Sequence, residues 1–542
     1  MTRYDDDTAR WGVPTEPITI SDRAREYLHR VVGMSAPQSA TPRPEVIAAP
    51  TRLDGQVVAD LERAVPHGVS TDDDDRLAHG AGFSYLDLVS RRGAHPPVPD
   101  VVVHPANEQQ VHELLQVAVA RQLAVIPFGG GTSVVGGLRP EDGGRAGVVS
   151  VALDRMAELV DVDPINSTVT VGPGMTGPTL ERLLQARGFT LGHYPQSWER
   201  ASIGGYAATR SAGQNSAGYG RSNDMIEKLR VVTPTATFAL GVAPGSAAGP
   251  DLRQVFIGSE GAFGIITEIT LRIRRIPAVT RYEGVMFGSY QAGLDAFREL
   301  LGRRARADLM RLSDPEETET NLTMALQGRT AQIFDRYLSL RRIGEGGCMA
   351  ILGYEGTRTQ VGARHHEAWK VLRAHGAVQL GQRVGKSWEH GRFSGPYLRD
   401  VLMDEGYLVE TLETATGWRE LPALRQEVTA AIRAELGDSG PGPLVMSHLS
   451  HVYETGGSLY VTVAARRDES DPIGQWQRAK AAACDAIVQA GATITHHHAV
   501  GRDHQPWLVG DIGEPGLALL RAIKHEVDPD QIMNPGALIA DR

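Results

Sequence analysis

The stretch Pro127–Gly137, PFGGGTSVVGG, decides how the chain is read. Gly129, Gly130 and Gly131 run straight into Thr132 and Ser133, and Gly136 and Gly137 close the loop. The apolar run Leu123-Ala124-Val125-Ile126 leads into it as a buried strand. Glycine accepts positive φ and lets a backbone come close to a ligand. Successive unpaired N–H groups then form a concave anion site, and the two hydroxyls add donors. Such a loop suits a pyrophosphate. The chain has no GxxxxGK[ST], so the lysine and hydroxyl of a P-loop are missing.

Working outward, residues 100–103 read as a short β-branched strand. Asn107 then caps a helix with Val111, Leu114, Leu115 and Ala118 on one face. Residues 147–151 and 167–171 are two further strands, and 179–187 is a helix, so strands and helices alternate. Gly172 to Gly177, GPGMTG, matches GxGxxG literally. Pro173 removes one N–H from that turn, and no acidic residue follows a second strand ~20 residues on, as a dinucleotide unit requires. It reads as a tight strand-to-helix turn. Pro195 to Gly220 combines Gly204, Gly205, Gly213, Gly218 and Gly220 with Ser197, Ser202, Thr209 and Ser211. Small residues and hydroxyls at that density suit backbone wrapped round an extended ligand. Residues 227–233 form a strand, and 257–273 are strand-like after Gly264.

Residues 1–94 look like a helical lead segment: Ser21 caps a helix, 35–50 reads as a linker, and Asp72 to Asp75 reads as a solvated loop. Residues 95–278 carry the glycine-rich motifs. Residues 279–495 mix strands with longer helices, one showing Leu421, Leu424, Val428 and Ile432 at helical spacing, and read as a second domain covering the first. Residues 496–542 hold a histidine cluster and a closing helix.

The 542 residues imply about three or four domains. A net charge of -10 and the lack of a long basic run argue against nucleic-acid binding. Two cysteines, Cys348 and Cys484, cannot build a disulfide framework or a cysteine zinc site, so a reducing compartment is expected. Met1 to Asp7 has no apolar core of a signal peptide, and no uninterrupted apolar run approaches the ~20 residues of a membrane span. A cytoplasmic location is expected, with peripheral membrane contact through an amphipathic surface left open.

His496, His497 and His498 stand in a row. In a strand the first and third would share one face. Neutral imidazoles are suitable general bases near pH 7. A metal would need convergent ligands, and His448 and His451 offer a second pair, so base, metal and purely structural readings all stand on the residues alone.

PFGGGTSVVGG, the 195–220 stretch and Gly258 to Glu268, GSEGAFGIITE, together resemble the FAD-binding domain of the vanillyl-alcohol oxidase type. Pro529 to Gly536, PDQIMNPG, resembles the terminal motif of its D-lactate and glycolate oxidoreductase relatives. His496 to Gly501, Gln505 to Leu508, Tyr453 and Gly456 to Thr462 look more narrowly like the alkyldihydroxyacetonephosphate synthase family, over residues 80–542. The resemblance implies an α+β fold: a two-subdomain FAD-binding domain over 95–278 and an α/β cap over 279–495. It implies that Gly129, Gly130, Gly131, Thr132 and Ser133 cradle the pyrophosphate. Ser197, Ser202, Gly205, Thr209 and Ser211 would line the flavin, and Glu260 and Ile265 would sit near the adenosine end. Pro127, Pro195 and Gly264 complete that set. Some relatives attach flavin through His or Cys; neither occurs in the loop, so FAD is expected to be non-covalent.

The implied reaction exchanges the acyl group of acyl-dihydroxyacetone phosphate for a fatty alcohol, through a flavin N5 adduct and without net redox. A histidine of the triplet would take the C1 proton, Tyr460 would assist the leaving carboxylate, and Arg311 would bind substrate through its planar fork. Trp388 and Arg392 are further cap candidates. Where the family has an active-site arginine, this chain has His448, shorter and only partly charged at pH 7. The alternative is an FAD-dependent oxidase or dehydrogenase of a 2-hydroxy acid or alcohol. Hydroxyacid relatives carry a GDGNLH-type ligand motif, replaced here by Glu454 to Tyr460, so no metal is expected. A small lipid-like or hydroxy-acid substrate and a homodimer are the expected partners.

Overall fold

The computed structural model describes residues 9–12, 18–326, 328–437 and 441–540; the acidic start Met1 to Asp7 lies outside them. The architecture is α+β, a two-part glycine-rich domain under a cap. The first part is a four-stranded sheet in the order Val69–Ser70, Val101–Val103, Gly147–Ala152, Leu123–Phe128, parallel except at its Val69–Ser70 edge. Its central strands are buried throughout because both faces are covered. The helix Glu108–Arg121 covers one face with Val111, Leu114, Leu115 and Ala118, capped by Asn107 Oδ1 accepting the Gln110 N–H at 3.0 Å. The second part is a five-stranded antiparallel sheet in the order Leu159–Asp163, Thr168–Val171, Ile265–Arg272, Ile226–Val232, Thr237–Leu240.

The cap is a seven-stranded antiparallel sheet in the order Val378–Gly381, Val279–Phe287, Cys348–Gly356, Leu309–Ser313, Leu444–Val452, Gly456–Arg466, Tyr407–Gly417. Alternation along these strands decides what the sheet does. Val445, Leu449, Val461, Val463, Leu408 and Leu412 point to helices such as Tyr290–Gly302 and Leu421–Leu436 and make the largest core. The intervening residues face the glycine-rich domain and line the cavity between the two. After the helix Pro472–Gln489 the chain crosses back, and the helix Leu508–Val527 buries Leu508, Leu517 and Val527 in the antiparallel part's core.

Three expectations are corrected. Asp72 to Asp75 is no solvated loop: Asp72 accepts the Asp74 N–H at 2.9 Å and caps the helix Asp73–Ala78, whose positive end favours the acidic run. The histidine triplet is a bend rather than a strand, so its side chains do not alternate. The lead segment is also not wholly helical. Val69–Ser70 joins the first sheet, and the helix Asp22–Val31, capped by Ser21 as expected, packs on the cap through Ala24, Tyr27 and Leu28. GPGMTG is the turn it was read as. A Cβ at Gly174 would lie 1.9 Å from the Leu153 carbonyl oxygen, so glycine there serves backbone packing.

Candidate active site

The glycine loop leaves the Leu123–Phe128 strand and presses against the turn before the helix Ile203–Ala208. A Cβ at Gly130 would stand 2.0 Å from the Arg200 carbonyl oxygen, so only glycine fits. Gly131 takes φ +70°. Among the described residues, the N–H groups of Gly130 to Ser133 donate to no protein acceptor, and all four residues line the cavity. An array of free donors at the end of a buried strand is what an anion needs. Beside the loop, Ser202, Gly205, Thr209 and Ser211 line the same cavity, together with Pro195 and Ser197. Ser202 also caps its helix, its Oγ accepting the Gly205 N–H at 3.1 Å.

Pro127, Gly129, Glu260 and Gly264 line the same cavity; Ile265 does not, its side chain being wholly buried in the parallel part's core. Glu260 is a bracket: its carboxylate accepts the Val500 N–H at 3.0 Å and the Gly501 N–H at 2.8 Å. Burial pushes its pKa up to about 7, against those two donors.

Glu413 is the residue the sequence did not reveal. It is fully buried in the Tyr407–Gly417 strand of the cap sheet. Its carboxylate accepts the backbone N–H groups of His496, His497 and His498 at 2.7, 2.9 and 2.8 Å, and the Thr495 hydroxyl at 2.7 Å. One carboxylate from the cap and one from the glycine-rich domain therefore hold five N–H groups of a single segment. That segment joins the two bodies and presents the histidines. Burial opposes the charge on Glu413, but His497 above all keeps its pKa well below the usual range. A glutamate inside an apolar strand was the only available sequence signal.

The three histidines part company. His497 and His498 line the cavity. His496 turns away and bonds Tyr453 Oη through Nε2. His496 Nδ1 and His497 Nδ1 lie 2.9 Å apart, with His497 Nδ1 3.4 Å from Glu413. The carboxylate favours a proton on His497 Nδ1, which leaves Nε2 as the acceptor. Burial drives the pKa of both His496 and His498 down to about 3, so both rings are neutral bases at pH 7. His451, His496 and His497 have the spacing of metal ligands. Both ring nitrogens of His451 are engaged, by Ser450 Oγ at 2.9 Å and the Gly213 carbonyl at 3.1 Å, and both of His496 are engaged as well. The cluster is a hydrogen-bonded chain, and coordination would break it.

Sheet register gathers the rest. Across four adjacent strands Ser313, His448, Tyr460 and Glu413 form one row of paired residues. The Tyr460 ring stacks on His448 at 4.9 Å and stands 6.1 Å from His497 and 5.5 Å from His498. Burial pushes its pKa up to about 12. Arg311 donates to Glu317 at 2.5 Å and lies 3.1 Å from His448 Nδ1. Trp388 also lines the cavity, whereas Arg392 stacks on Tyr194 and Phe393. Beyond His448 the cavity turns apolar, walled by Leu28, Met324, Leu402, Val409, Leu444 and Met446. The whole space is about 490 Å³, within the usual range of ligand sites.

The sequence profile of the FAD binding domain family matches residues 99–239, and that of the C-terminal domain of FAD linked oxidases matches residues 276–538. The alkyldihydroxyacetonephosphate synthase of Dictyostelium discoideum is 32% identical over 88% of this chain and 79% of its own length. That of Trypanosoma brucei brucei is 31% identical over 86% of this chain and 77% of its own length. A solved alkyldihydroxyacetonephosphate synthase superposes with a TM-score of 0.82, at 28% identity over 95% of this chain and 92% of that one. FAD is the cofactor, and the free donors of the glycine loop fit its pyrophosphate. The chain belongs to the alkyldihydroxyacetonephosphate synthase family of FAD-dependent enzymes.

Proposed function

We propose that the enzyme exchanges the acyl group of acyl-dihydroxyacetone phosphate for a fatty alcohol, forming the ether bond of ether lipids without net redox. One observation carries the reading: a single cavity joins a cofactor cradle, the half-buried His498 beside His497, and an apolar limb fit for an alkyl chain. FAD supplies an electrophilic ring and an electron sink. His497, positioned by Glu413 and acting through Nε2, takes a proton from C1 of the substrate. Tyr460, neutral up to about pH 12, donates to the departing carboxylate. Arg311, with one arm on Glu317, offers its remaining donors to the substrate's anionic group. The test is transfer of labelled fatty alcohol into acyl-dihydroxyacetone phosphate: labelled ether product with one fatty acid released supports the reading, and its absence overturns it.

FAD is read as non-covalent, since the glycine loop holds neither His nor Cys, and Cys348 and Cys484 are buried in the cap core away from the cavity. A cytoplasmic location is part of the reading, and peripheral membrane contact is supported by the helix Gly328–Leu340. It exposes Ile333 and Leu340 among Arg329, Arg336, Arg341 and Arg342, and directly follows the helix Pro315–Ala325 that walls the apolar limb. No described helix is long and apolar enough to cross a membrane. A homodimer completes the reading, to be checked by sedimentation.

A further inference from the structure

We propose that His448 and Glu317 form a carboxylate–imidazole dyad that takes the hydroxyl proton of the incoming alcohol, an inference that rests on the synthase reading. The dyad is built by one latch. Asp314 caps the helix Pro315–Ala325 by accepting the Glu317 N–H at 2.8 Å. The same Asp314 carboxylate accepts the Ser447 N–H at 2.8 Å and the Ser447 hydroxyl at 2.6 Å. The helix start is thus fastened to the residue next to His448, and Glu317 is set opposite its ring. His448 Nδ1 lies 3.1 Å from Glu317 Oε2, a buried oxygen with no hydrogen bond of its own, and 3.1 Å from Arg311 Nη2. Arg311 already has Glu317 Oε1 as its acceptor, so a proton on His448 Nδ1 would satisfy the orphaned Oε2, and that tautomer leaves Nε2 as an acceptor in a residue that lines the cavity.

Position says which proton it serves. Glu317, Thr320, Asn321 and Met324 line the cavity at i, i+3, i+4 and i+7, from a charged end to an apolar one. His448, Met446 and Leu444 repeat that gradient along their strand. The dyad stands where the histidine chamber meets the apolar limb, so an alcohol with its chain in the limb ends its hydroxyl there. The triplet on the far side of Tyr460 is left to act on C1. Burial, then the neighbouring Arg311, lowers the His448 pKa, so the ring is a neutral base at pH 7. Burial opposes the Glu317 charge, but His448 and Arg311 hold its carboxyl well below the usual range, so it stays ionised to stabilise an imidazolium. In balance, the alcohol oxygen bonds to C1, the bond from C1 to the acyl carboxylate breaks, and the O–H proton passes to His448 Nε2. The carboxylate leaves first with a proton from Tyr460, and the proton on His448 makes up for it by way of solvent, so that no electron is gained or lost overall.

The test is single-turnover kinetics on holoenzyme loaded with acyl-dihydroxyacetone phosphate, following fatty-acid release and label incorporation separately in wild type, His448→Asn and Glu317→Gln. Removing a general base costs about 10²- to 10⁴-fold. The variants are expected to lose about 100-fold in incorporation of ordinary fatty alcohol and less than tenfold in fatty-acid release. A fluorinated alcohol with a more acidic hydroxyl is expected to recover at least tenfold of the loss. Equal losses in both steps, or equal losses for both alcohols, overturn the dyad and leave the synthase reading standing. No incorporation by wild type overturns both.

Discussion

The glycine loop and the histidine segment meet across one cavity, yet they are built in opposite ways. The loop recognises with backbone: Gly130 to Ser133 offer N–H groups that no protein atom takes. The histidine segment has its backbone N–H groups consumed, by Glu413 and Glu260, and offers side chains instead. The first suits a group common to every FAD. The second suits chemistry that must differ between relatives sharing the fold. It follows that cofactor binding and turnover should come apart under mutation.

The largest expected effect is on the loop. Gly130→Val drives a side chain into the Arg200 carbonyl and is expected to abolish flavin binding; a purified variant with a full flavin spectrum would show the contact is not obligatory. Next come His497→Ala and Tyr460→Phe, expected to keep FAD and to lose about 10²- to 10⁴-fold in turnover. Unchanged turnover in His497→Ala would return the triplet to a structural role.

Glu413→Gln sharpens the contrast, because it removes the charge that three N–H groups share. Hydrogen bonds to a charged group contribute about 1.5–3 kcal/mol each, so a loss of about 3 kcal/mol is expected, with turnover down at least tenfold and FAD retained. Denaturant titration beside flavin absorbance checks both halves. His496→Ala, off the cavity, is expected to cost less than tenfold in steady-state turnover. A loss matching that of His497→Ala would place the His496–Tyr453 arm in the proton path.

The smallest effect is with pH. His496 and His498 have folded pKa values near 3, against 6.5 for an ordinary histidine. Between those values the unfolded chain binds protons that the folded chain refuses, so stability falls as pH falls from 6.5 towards 3. Glu260, raised to about 7 by burial, works in the opposite sense between 7 and 4.5. Two histidines outweigh one glutamate, and a lower denaturation midpoint at pH 5 than at pH 7 is expected. A higher midpoint at pH 5 would mean the histidines are not held neutral by burial.

The same contrast explains what was legible in the sequence. The loop is local: strand, glycines and hydroxyls are contiguous, so the cradle could be read from PFGGGTSVVGG, and Asn107 and Ser21 announced their helices in the same way. The histidine site is assembled by register. Tyr460 and His448 face one another because their strands pair, and Glu413 joins them from a third strand. No spacing in the chain encodes that row. Glu317 was hidden likewise, since its partner lies 131 positions on and only the Asp314–Ser447 latch brings them together. Reading the triplet as a strand failed because Glu413 draws three successive N–H groups to one point, which an extended chain cannot do.

The central claim is that this flavin site turns over without net oxidation. The most direct measurement is an anaerobic visible spectrum of the holoenzyme, with acyl-dihydroxyacetone phosphate and fatty alcohol present and no electron acceptor. The account predicts many equivalents of ether product per enzyme, with the flavin oxidised again when substrate is exhausted. Lasting bleaching by a 2-hydroxy acid, with ether product never exceeding one equivalent, would contradict it.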